Sequence, residues 1–324
     1  MEHFEKRKKR VLVIGGSSYL GCNILHYLYG KYRLITTYFN HRISIDDVLA
    51  IPLDITNRDA LQKLIYTISP DVVIYCAGLH DINRAQREPK LTDALNNVAA
   101  LSAASTCEKT DILFIYLSHS FVFSGEGSFY PEKEIPRPNT AYGTSLYTAE
   151  YILQKSFSNY LIIRTTDVFG RSFISHQCSY LEFLENHLMK GKSFYADDQL
   201  KNGHVSSLLL GKLIYLCIEN NIMGRILNVS SPNALTRYEL ALLVSEIIGT
   251  DSSLIGKKNQ THTHEDVKAS LSRAGLNFSL SCKNIEKLFG VTMPTVQEQL
   301  YNYYEFHGSK SMSSQRGGKK SMYI

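Results

Sequence analysis

The stretch Val11-Leu12-Val13-Ile14-Gly15-Gly16-Ser17-Ser18-Tyr19-Leu20-Gly21 places glycines where a short apolar run gives way to a helical pattern. Backbone N–H groups at such a strand-to-helix turn can meet a diphosphate. Glycine is needed there because a Cβ would strike the turn, the phosphate or the adjacent strand. The candidate dinucleotide contacts in this loop are Gly15, Ser17, Ser18, Tyr19, Leu20 and Gly21. On a G-x-x-G-x-x-G spacing the middle position is Ser18, whose side chain is expected near the diphosphate, weakening binding without abolishing it. The next apolar run ends in Tyr38-Phe39-Asn40-His41-Arg42, which offers no carboxylate for ribose hydroxyls. Arg42 suits a 2′-phosphate, so the coenzyme expected is NADP, with NAD as the alternative.

Such a loop needs a buried parallel sheet behind it. Short apolar runs with β-branched residues, at 11–14, 33–38, 72–76, 112–117 and 161–165, alternate with helical patterns over 20–29, 58–68, 92–106 and 142–154. That rhythm predicts an α/β fold, a doubly wound Rossmann sheet over residues 11–170. Beyond Gly170 the rhythm loosens into helices at 180–190 and 206–219, a turn over 197–203 and a short strand at 226–229. Thr236-Arg237-Tyr238-Glu239 is a capping-box pattern that opens a helix to Ile248. Residues 171–307 read as a smaller C-terminal substrate lobe interleaved with the last Rossmann strands. They are followed by a basic tail, 308–324, too poor in apolar residues to pack and expected to be disordered.

Composition narrows the functions available. Of the net charge of +5, the basic extension 1–10 and the basic tail carry more than the whole, so the folded body is slightly acidic. That is a poor general surface for nucleic acid. The apolar run after the basic start ends within four residues, too short for an export signal, and no stretch approaches a membrane span. The six cysteines (Cys22, Cys76, Cys107, Cys178, Cys217, Cys282) are far apart, with no C-x-x-C pair and no histidine cluster at metal-ligand spacing. They read as reduced residues of a cytoplasmic protein without a metal site.

Over residues 10–305 the chain resembles extended short-chain dehydrogenases of the dTDP-4-dehydrorhamnose reductase type, a group that includes the regulatory beta subunit of methionine adenosyltransferase. The segments that carry the resemblance are VLVIGGSSYLG, PLDITN, PDVVIYCAG, LSHSFVFSGEGSFYPEKEIPRPNTAYG, RTTDVFG and DDQLKNGHV, the long middle block being the most specific. The resemblance implies that Asp54 faces the adenine, and that Ala77 and Gly78 line the dinucleotide. It puts Asn96, with Asn97 beside it, in a helix supporting the catalytic strand, and Arg164 and residues 165–170 at the nicotinamide end.

The family's chemistry uses a tyrosine to protonate a keto oxygen as hydride arrives. A lysine four residues on lowers the tyrosine pKa, and a Ser or Thr on the preceding strand bonds the carbonyl. Here Tyr142 is kept in its YG setting, Leu146 stands at the lysine position, and His119 stands at the hydroxyl position, flanked by Ser118 and Ser120. If strand alternation persists, those two serines point away from His119's side. The turn before His204-Val205 also departs, with Asn202-Gly203 in place of a Pro-Thr pair. Two readings follow. One is an NADP-dependent reductase of a nucleotide-activated 4-keto-6-deoxy sugar, with Tyr142 as proton donor and His119 as a substitute donor. The other is a catalytically impaired dinucleotide-binding regulatory or sensor protein, working as a homodimer or with a partner enzyme. An epimerase or dehydratase finds no carboxylate next to His119 in the sequence.

Overall fold

The structure, a computed structural model, describes residues 7–174, 177–258, 267, 271 and 274–308. Residues 1–6 and 309–324 of the two basic ends lie outside the described residues, and with them the expectation of a disordered tail.

The strands are β1 (Arg10–Ile14), β2 (Arg33–Tyr38), β3 (Leu49–Pro52), β4 (Val72–Tyr75), β5 (Leu113–His119), β6 (Tyr160–Thr165), β7 (Asp167–Phe169), β8 (Phe194–Ala196), β9 (Asn202–Ser206), β10 (Arg225–Val229), β11 (Ala234–Leu235) and β12 (Ile255–Lys257). Seven form one sheet in the order β10-β6-β5-β4-β1-β2-β3, and every neighbouring pair is parallel. The order reverses between β1 and β4. In open α/β sheets a crevice forms at that point, outside the C-terminal strand ends.

The helices are α1 (Tyr19–Leu28), α2 (Arg58–Ile68), α3 (Ile82–Arg87), α4 (Pro89–Asp93), α5 (Ala99–Lys109), α6 (Ala141–Ser156), α7 (Tyr180–Met189), α8 (Ser207–Glu219), α9 (Arg237–Ile248), α10 (Lys283–Phe289) and α11 (Val296–Gly308). A parallel strand buried on both faces must be apolar throughout, and Val11, Leu12, Val13 and Ile14 of β1 are fully buried. Leu12 and Ile14 join one core with α2, α5 and α6, while Val11 and Val13 join another with α1 and α8. Each such aliphatic side chain contributes about 1.5–3 kcal/mol of burial. A third core gathers α7, α9, α11, β8 and β12.

The chain departs from the sequence reading in several places, among them the following three. The helix expected over 92–106 begins at Pro89 and contains a π-helical turn, Ala94–Val98, between α4 and α5. The turn expected over 197–203 gives way at Asn202 to β9. β3, four residues long and half exposed, gave too little apolar signal to be seen.

Candidate active site

The phosphate loop is built by its glycines and its serine. Gly15 has φ +87 and packs on Ala77 after β4, where a Cβ would come within 2.6 Å of the Ala77 nitrogen. Ser18 is the N-cap of α1. Its hydroxyl donates to the Gly15 carbonyl (2.8 Å) and accepts from the Gly21 N–H (3.1 Å), so the side chain serves the loop itself. The N–H groups of Ser17, Tyr19 and Leu20 have no hydrogen-bond partner among the described residues. Together with the positive end of α1, they form a place for an anion.

The second half of the site comes from β5 and α6. α6 starts at the N-cap Thr140, whose side chain accepts from Gly143 N–H, and this sets Tyr142 in the first turn, facing the cleft. Tyr142 is 6% exposed, and its hydroxyl makes no hydrogen bond among the described residues. Its phenol is pushed well above the usual tyrosine range, first by burial and then by the Asp167 carboxylate. Leu146, one helical turn on, is buried in the core. His119 ends β5 with its ring centroid 6.0 Å from that of Tyr142 and 4.9 Å from Phe121, on which it stacks. The Phe121 N–H donates to Nδ1 (3.3 Å), and Nε2 faces Asp167 Oδ1 at 3.9 Å. Asp167 in turn lies 3.7 Å from Arg237, whose guanidinium sits over the Tyr180 ring.

These groups line one cleft of about 450 Å³ together with Ser18, Tyr19, Leu20, Ala77 and Asn96. Asn96 works from the π-helical turn: its Oδ1 accepts the Leu79 N–H (2.8 Å), and its Nδ2 donates to Leu79 O and Ser145 Oγ. It thereby ties the loop after β4, including Gly78, to α6. Asn97 bonds Asp93 of its own helix instead.

Other expected residues stand apart from the cleft. Arg42 is exposed in the loop after β2. Asp54 is exposed, and its Oδ1 accepts from the N–H and hydroxyl of Thr56, fixing the turn before α2. Arg164 does not line the cleft. It is 1% exposed and held by Glu150 of α6 at 2.6 Å, with its Nε also bonded to that carboxylate. Asp167 and Arg237 were missed as individual site residues. An acid at the end of the otherwise uncharged run after Arg164 was the available signal for Asp167, whereas Arg237 was visible only as part of a helix cap.

The RmlD substrate binding domain matches residues 9–307. The chain belongs to that family. Among its relatives, a Haloferax volcanii protein named as a probable low-salt glycan biosynthesis reductase is 26% identical over 296 residues, 89% of this chain and 95% of the relative. Methionine adenosyltransferase 2 subunit beta of Xenopus laevis is 24% identical over 240 residues, 73% of this chain and 70% of its own. The crystal structure of Bacillus anthracis dTDP-4-dehydrorhamnose reductase in complex with NADP superposes with a TM-score of 0.77 at 21% identity, over 92% of this chain and 99% of that one. The RmlD fold therefore agrees with the Rossmann sheet expected from the sequence.

Proposed function

We propose that this RmlD-family chain binds NADP across the C-terminal edge of its sheet and reduces a nucleotide-activated 4-keto-6-deoxy sugar. The observation that carries the reading is one shared cleft: Tyr19 and Leu20 of the phosphate loop, whose amides are open, line it together with Tyr142. The residues fit the coenzyme, since Ser17, Tyr19 and Leu20 offer N–H donors to a diphosphate and Ala77 lines the cleft beside them, with Gly78 next to it in the loop after β4. On this reading Arg42 and Asp54 would meet the 2′-phosphate and the adenine beyond the cleft itself, from the exposed loops after β2 and before α2. When bound, the coenzyme supplies hydride to the keto carbon.

The chain's own part is to hold the carbonyl and protonate its oxygen. Tyr142 gives its phenolic proton to that oxygen as the C–O bond becomes an alcohol, and bulk water reloads it. His119 offers a ring N–H to the same oxygen, as a hydroxyl in its place would. The methionine adenosyltransferase likeness and the buried Leu146 favour a second reading: a dinucleotide-binding regulatory or sensor protein, a homodimer or a subunit of another enzyme, whose chemistry has lapsed.

NADPH oxidation with a dTDP-4-keto-6-deoxy sugar separates the two. For the reductase, turnover falls at least 100-fold in Tyr142→Phe, on the scale of losing a proton donor, with NADPH affinity unchanged. Tight NADPH binding without turnover, and activity gained in a His119→Thr, Leu146→Lys double variant, would establish the binding protein. No calorimetric heat with NADPH or NADH at millimolar concentration would end both readings.

A further inference from the structure

Three residues that line the cleft, Tyr19, Ser118 and Thr165, carry a buried hydroxyl with no hydrogen-bond partner. Ser118 Oγ and Thr165 Oγ1 are buried atoms without a hydrogen-bond partner, in residues only 3% and 2% exposed. Buried side-chain hydroxyls are nearly always paired, because an unpaired one has given up its water for nothing. These two sit on neighbouring strands at the C-terminal edge of the sheet, and both residues line the cleft that holds Tyr142 and the phosphate loop.

The strand register places them on either side of His119's position. Thr165 is paired with His119 across β5 and β6, so the two project from the same face. Ser118 is paired with Arg164, whose side chain reaches Glu150 of α6, so Ser118 projects from the face that carries Tyr142. The serine that alternation turns away from His119 thus still reaches the cleft, from the other side of the sheet edge.

We propose that Ser118 and Thr165 are ligand-contacting residues whose hydroxyls bond a carbonyl group of the bound ligand, and that they compensate for the hydroxyl replaced by His119. The inference rests on the reading of the cleft as a coenzyme and keto-sugar site. Two sources present that chemistry there, the carboxamide of the coenzyme ring and the keto oxygen of the sugar.

The test uses the full chain and the variants Ser118→Ala, Thr165→Val and their double. Three quantities are measured: the Tm without ligand, calorimetric affinity for NADPH and for 2′-phospho-ADP-ribose, which lacks the ring, and affinity for a dTDP-4-keto-6-deoxy sugar at saturating NADP. The ligand-free Tm should stay level or rise, because removing an unpaired buried hydroxyl removes a cost. An NADPH affinity 5- to 10-fold weaker per hydroxyl, with 2′-phospho-ADP-ribose unchanged, assigns the contact to the carboxamide. The same loss confined to the sugar assigns it to the keto oxygen. A lowered ligand-free Tm, or affinities within twofold of the parent protein for every probe, overturns the proposal and leaves the functional reading intact. A parent protein that binds none of the probes overturns the functional reading itself.

Discussion

Leu146 changes what Tyr142 can do, and the change is electrostatic. An ammonium one helical turn from the phenol would stabilise the phenolate, whereas burial and the Asp167 carboxylate do the opposite. Burial first, and Asp167 second, hold the Tyr142 proton more tightly than usual, above the ordinary value of 10.0. The sign of the pH dependence follows: a raised phenol stays loaded as pH rises, so reduction should show no alkaline fall through pH 10 from this group. In Leu146→Lys the phenol drops, and an alkaline limb should enter the kcat/KM profile below that of the parent. Asp167→Asn should move it in the same direction by less. A parent profile that already falls between pH 7 and 9 would mean that some other cation serves the tyrosine. At this scale the sequence was legible as residue types at known spacings, which located Tyr142, Leu146 and His119. It could not reveal Asp167 as His119's neighbour, because that contact is made across two strands whose register no local pattern encodes.

Elements matter because they decide which backbone groups remain free. The turn between β1 and α1 exposes its amides only because Gly15 adopts φ +87 against Ala77. Gly15→Ala would force either the left-handed backbone or the 2.6 Å contact to give way. The expected cost is about 1–3 kcal/mol of stability, with NADPH affinity falling at least 10-fold, read by thermal unfolding and calorimetry. A variant as stable as its parent but unable to bind would show that the strain falls on the loop alone. Ser18, which looked from the sequence like an obstacle beside the phosphate, is an N-cap with its hydroxyl turned into its own loop. Capping is a local preference and could have been read from the serine before a helix. The π-helical turn is different. It widens the helix at Ala94–Val98, and Asn96 there reaches both the β4 loop and α6. Such a bulge reflects tertiary hydrogen bonds that outbid the ordinary helical pattern, so no periodicity announced it.

Across the whole molecule, the long connection between β5 and α6 must be held for Tyr142 to face the phosphate loop, and buried charge holds it. Arg164 of β6 bonds Glu150 of α6 through two nitrogens and donates to the Glu132 carbonyl in that connection. Glu132 in turn accepts from the Asn228 N–H of β10 and from Asn284 of α10. Sheet, Tyr142-bearing helix and C-terminal segment thus meet around one ion pair, with side chains 1% and 0% exposed. Removing one charge from such a pair strands the other in a medium that cannot solvate it, whereas removing both leaves only a packing problem. Glu150→Leu is therefore expected to cost about 3–5 kcal/mol by denaturant unfolding, and Arg164→Met a similar amount. The double variant should recover most of the loss, because its apolar side chains fill a similar volume. If the pair serves only stability, the double variant also recovers NADPH affinity. If it aligns Tyr142 as well, the double variant binds NADPH normally while its turnover stays low. Additive losses, with the double variant losing the sum of the two single variants, would show that the two charges are solvated separately and do not form this tie.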